Sequence, residues 1–237
     1  MLIRAGSPGP HRFAAGAALL LAFVAGGLAG CRQHAPSPSA GPVGGPSARQ
    51  RISESAAQVA SGATRKIELD DVEVGDDDLK ALGDMPALVE LRLPKSRITD
   101  RGLAHLAALV ELERLVLGET TVTDAGLQRL GKLSRLKTIN FQTSHVTDEG
   151  LAHLAPLADL ELLRLGSSRI RGPGLAHLRK LPRLKFLILN SAPLDDAGLA
   201  HLAGWQQLES LYVERTKVTD QGASELLDSC PKLHLHW

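Results

Sequence analysis

The chain has 237 residues, 43% hydrophobic and 22% charged, which is enough apolar material for one large folded body or two small ones. Aromatics are only 3%, too few for base-stacking platforms or aromatic cages. The formal net charge is +1, and Arg4 and Arg12 lie in the acid-free stretch before residue 31; the remainder holds 25 basic against 26 acidic residues, a balance that excludes general nucleic-acid binding.

Two cysteines, Cys31 and Cys230, make neither a disulfide framework nor a zinc ligand set. Residues 13–28, FAAGAALLLAFVAGGL, form an uncharged apolar run behind Arg4 and Arg12, the arrangement of a secretory signal peptide. The run is near the lower limit for a spanning helix, and Gly16, Gly26 and Gly27 weaken it as one. It ends in Leu28-Ala29-Gly30-Cys31, which resembles the lipobox of bacterial lipoproteins. The resemblance implies cleavage before Cys31 and acylation there, and so a chain held on a membrane of the bacterial cell envelope. By the sorting pattern of many Gram-negative lipoproteins, Arg32 rather than Asp after the cysteine implies the outer membrane over the inner one. An uncleaved anchor and an ordinary secretory signal are the alternatives. Residues 31–49 then comprise the lipidated cysteine and a Pro/Ser/Gly-rich tether, reaching ~25 Å as a flexible coil.

Residues 50–63 place Ile52, Ala56 and Val59 at helical spacing before Gly62, which predicts a short N-terminal capping helix. From residue 64 to 237 the chain is repetitive. Ile98-Thr-Asp, Val122-Thr-Asp, Val146-Thr-Asp and Val218-Thr-Asp are spaced by multiples of 24, and Val74, Ile170 and Leu194 fill the series. Six further positions per repeat, Leu103, Leu106, Leu109, Leu112, Leu115 and Leu117 in one of them, are apolar throughout except at Ser229 and Lys232. The pattern resembles the leucine-rich-repeat family in its Thr-Asp-x-Gly-Leu variety.

The alternation Leu115-x-Leu117 suits a short strand with one buried face, and stacking its equivalents gives eight strands in one parallel sheet. Leu103 and Leu106 follow helical spacing, with Thr99 placed to cap and Asp100 at the positive end of the helix dipole. Gly102 and its equivalents allow close approach of the neighbouring repeat. The expected fold is therefore α/β, a leucine-rich-repeat solenoid curved like a horseshoe, with the parallel sheet on the concave face and short helices on the convex one. Ser96, Thr120, Ser144, Ser168 and Thr216 form a hydroxyl column suited to turns, broken by Ala192, which predicts a looser turn at 190–193. Trp237 is expected to cover the last strand layer.

His105, His153, His177 and His201 share a column, but adjacent solenoid helices stand ~8–10 Å apart, poor spacing for ligands of one zinc. The acidic run Asp70, Asp71, Glu73, Asp76, Asp77, Asp78 lacks calcium-loop spacing and reads as a solvated face and helix start. Cys230 reads as a semi-buried small residue. No nucleophile elbow, P-loop or His-Glu-x-x-His occurs, so neither catalysis nor a cofactor is expected. Leu162, Phe186, Ile188 and Tyr212 are expected to lie exposed on the concave face, rimmed by Arg164, Glu214 and Arg215, as a partner-binding surface. The expectation is a monomer binding a protein or peptide there, with no nucleic acid; recognition of cell-wall polysaccharide or peptidoglycan is the alternative.

Overall fold

The computed structural model describes residues 47–237. The signal sequence, the lipobox with Cys31 and nearly all of the tether lie outside the described residues. A helix spans Ala48–Ala60, with the Ser47 hydroxyl accepting from the Gln50 N–H, and buries Ile52, Ala56 and Val59. Among the described residues no helix is long and apolar enough to cross a membrane.

Eight strands then form one parallel sheet in sequence order, each pairing with its successor: β1 (Lys66–Glu68), β3 (Glu90–Leu93), β5 (Arg114–Glu119), β6 (Thr138–Thr143), β7 (Leu162–Leu165), β8 (Phe186–Ile188), β9 (Ser210–Tyr212) and β10 (His234–His236). The register aligns equivalent positions of the repeat, as in Leu115↔Ile139↔Leu163↔Leu187↔Leu211. A two-stranded sheet, β2 (Val74–Gly75) with β4 (Ser96–Arg97), was not foreseen. The outer side is built of short helices such as Asp100–His105 and Asp124–Leu130, and of 3₁₀ segments such as Asp76–Leu82 and Glu149–Leu154. The fold is a leucine-rich-repeat solenoid of the α/β class.

The six apolar columns of the repeat are buried, apart from Ser229, Lys232, Leu235 and Trp237 in the last repeat. Trp237 is 51% exposed, more open than the expected cover of the last strand layer, and its indole Nε1 donates to Asp220 Oδ1 at 3.1 Å. The 190–193 turn is closed rather than loose: the Ser191 N–H donates to Glu214 O and the Ala192 N–H to Leu189 O, at 2.8 and 3.1 Å.

The Thr-Asp motif does more than cap a helix. Asp76, Asp100, Asp124 and Asp196 each accept two hydrogen bonds from the threonine of the next repeat, one from its N–H and one from its hydroxyl, at 2.6–2.9 Å. The same hydroxyl accepts from a helix N–H, as Thr123 does from Ala125. Asp148 faces Arg171 instead of threonine and takes three backbone N–H groups, from Arg171, Gly172 and Gly174. The glycine column makes room for these carboxylates: a Cβ at Gly102, Gly126, Gly150 or Gly222 would collide with the aspartate of the preceding repeat.

A second inter-repeat pattern runs along the turns that enter the strands. Glu113, Lys137, Glu161, Lys185 and Glu209 alternate in sign at equivalent positions, with Lys137–Glu113 and Lys185–Glu209 ion pairs at 2.8 Å. Glu111, Arg135, Asp159 and Arg183 alternate beside them, paired Arg135–Glu111 and Arg183–Asp159.

The carboxylate links should be measurable. Asp124→Ala is expected to cost about 1.5–3 kcal/mol in urea melts, the range for hydrogen bonds to a charged group. In a double-mutant cycle with Thr147→Val the two losses should be far from additive. At Asp196 the hydrogen bonds from Thr219 hold the carboxyl below its ordinary 3.8. Because the folded value lies below the unfolded one, this group stabilises above the unfolded value, and that contribution is lost as pH falls through the folded one. Thr219→Val should return the Asp196 titration, followed by NMR, toward 3.8.

Candidate functional site

Strand residues that alternate with the core leucines point to the concave side. In the parallel register they line up into rows across the sheet. One row runs Asn140, Arg164, Ile188, Tyr212, His236, and a second runs Thr138, Leu162, Phe186, Ser210. Neighbours in a row stand about one strand spacing apart, ~4.8 Å, so their side chains pack flank to flank.

That packing corrects the expectation of exposure. Leu162 is 2% exposed, Phe186 5% and Ile188 1%. In the register Phe186 stands between Leu162 and Ser210, and Ile188 between Arg164 and Tyr212, so each has a side chain on either flank. They form an apolar floor rather than an open patch. Tyr212 remains half-buried, stacked on the His236 ring with centroids 4.2 Å apart and planes 2° from parallel. Burial pushes the Tyr212 phenol up and the His236 imidazole down, so both stay neutral in the stack at neutral pH.

The rim residues fall at the C-terminal ends of the strands. Glu214 exchanges hydrogen bonds with Asn190: Asn190 Nδ2 donates to Glu214 Oε2 at 3.2 Å, and the Glu214 N–H donates to Asn190 Oδ1 at 3.1 Å. Asn190 is a member of this surface that the sequence reading had not placed beside Glu214. Arg215 is exposed, in a left-handed turn with φ 58°, matching Ser167 and Ser191 in the same column. Arg164 is half-buried, and desolvation lowers its guanidinium pKa from the ordinary value while the Glu214 charge opposes the shift. The structure therefore brings Leu162, Arg164, Phe186, Ile188, Tyr212 and Glu214 onto one side of adjoining strands, with Arg215 at the edge.

Elsewhere, His105 and His153 are half-buried and His177 and His201 exposed, in successive outer segments. Among the described residues no group of three or more His, Cys, Asp or Glu side chains could hold a metal ion. Cys230 is a buried free thiol near the Leu202 and Trp205 carbonyls, at 3.7 and 3.9 Å.

Comparison with known proteins agrees with this architecture. No protein family matches the sequence by its profile. No curated protein matches it. Among solved structures, an internalin of Listeria monocytogenes superposes with a TM-score of 0.52 at 20% identity, over 72% of this chain and 52% of that one. A leucine-rich-repeat protein of Leptospira interrogans superposes with a TM-score of 0.50 at 16% identity, over 67% of this chain and 45% of that one. The chain thus spans about half the length of each, and the likeness is one of fold.

Because Phe186 is floor and not patch, Phe186→Ala is expected to cost about 3 kcal/mol in denaturant melts, the low end for a buried phenylalanine. Tyr212→Ala, at a half-buried position, should cost clearly less. Equal and negligible losses from both would show that the floor is open.

Proposed function

We propose that the chain is a non-catalytic protein- or peptide-binding module, held on the bacterial cell envelope by a lipid at Cys31. The observation that carries the binding reading is the concave row in which Arg164, Tyr212 and His236 stand in register beside the apolar floor of Leu162, Phe186 and Ile188. Such side chains are ordered before contact, so little conformational entropy is lost on association. The outer membrane, suggested by Arg32 behind the lipobox, is the proposed address.

A polysaccharide is a poorer fit. Sugar rings stack on open aromatic faces, and Tyr212 has His236 against one face and the Ile188 strand on its other side.

A photo-crosslinking amino acid at position 212 should capture a discrete protein adduct in intact cells, and the same group at Arg129, exposed on the outer side, should not. Equal capture from both positions, or none at 212, overturns the concave-face reading. Separately, Cys31→Ser should abolish incorporation of labelled fatty acid and leave the signal sequence uncleaved. Lipid labelling that survives this change would remove the anchor.

A further inference from the structure

Concave cations near the start of the sheet have counter-charges within the fold. Lys66 and Arg114 share the buried carboxylate of Glu90, and Arg92 pairs with Asp70. Arg164 does not. Its guanidinium makes no ion pair and no hydrogen bond among the described residues, and its Nε is enclosed without a partner. Asn140 on one side is itself buried, with an enclosed, unpartnered Oδ1, and Ile188 on the other side offers nothing polar. The acid that acts on Arg164 electrostatically is Glu214, which lies beyond Tyr212 and is engaged with Asn190.

A partly desolvated cation with no acid in direct contact is a cost to the fold that holds it. Here it stands beside an apolar floor, where the effective dielectric is low and an arriving anion is attracted strongly. The planar fork of a guanidinium matches a carboxylate, which can accept two parallel N–H bonds.

We infer that Arg164 is the anchor for an acidic side chain, glutamate or aspartate, of the protein partner. This rests on the protein-binding reading above. The carboxylate completes an ion pair that the fold leaves half-made, and Ile188 and the edge of the Tyr212–His236 stack shield it from water.

The test uses the full chain in detergent against immobilised pools of blocked pentapeptides, with a fixed central glutamate, glutamine or phosphoserine and mixed flanking residues. The glutamate pool should be preferred over the glutamine pool by about tenfold or more, as expected when a charged hydrogen-bonded pair is gained. Arg164→Gln should erase that preference. In the absence of peptide, Arg164→Met should raise the thermal midpoint by about 2–4 °C, because the unmatched charge is gone. Equal binding of the glutamate and glutamine pools, a preference that survives Arg164→Gln, a stronger preference for phosphoserine, or a lower midpoint in Arg164→Met each overturns the assignment. Failure here with crosslinking at position 212 intact overturns only the carboxylate. Loss of both overturns the protein-binding reading as well.

Discussion

The bond that the architecture depends on joins an aspartate to the threonine one repeat further along. A repeat of this length cannot bury its own apolar face, so each must be held in register with the next. Apolar packing alone is a weak guide to register, because one leucine column resembles another. A carboxylate that must meet both an N–H and a hydroxyl, as Asp100 meets Thr123, accepts only one alignment. The threonine then passes the constraint onward by capping its own helical turn.

The exception shows how tightly the parts are coupled. Gly172 stands where the aspartate should be, and Asp195 where the following threonine should be. Had an aspartate stood at 172, it would have faced the carboxylate of Asp195. Instead Gly172 adopts φ 136° and lies so close to the backbone of Gly198 that no Cβ fits, while Asp195 caps its own turn through the Gly198 N–H at 2.9 Å. Two departures from the repeat thus compensate each other.

The leucine columns, the eight-stranded sheet and its order were legible in the sequence because they follow from periodic burial alone. The aspartate link was not. Thr99 and Asp100 are neighbours in the chain and read as a local cap, whereas the bonds join Asp76 to Thr99 and Asp100 to Thr123. In a perfect repeat, a bond to the adjacent residue and one to its equivalent a repeat away look the same. At the candidate site, alternation gave the face on which Phe186 and Ile188 lie but not their exposure. Exposure depends on the flanking strands, whose register sets bulky neighbours beside them, Leu162 next to Phe186 and Tyr212 next to Ile188. The pairing of Asn190 with Glu214 also joins consecutive repeats and left no local signature.

The alternating charges at 113, 137, 161, 185 and 209 carry a consequence for how such a chain can change length. Their pattern returns to the same sign only every second repeat, so its period is twice that of the backbone. Excising a single repeat would set Glu beside Glu or Lys beside Lys along this edge, whereas excising two would leave the alternation whole. The Glu111, Arg135, Asp159, Arg183 series obeys the same parity. Electrostatically the unit that can be duplicated or lost without conflict is a pair, and the solenoid behaves as a polymer of dimers written in a monomeric fold.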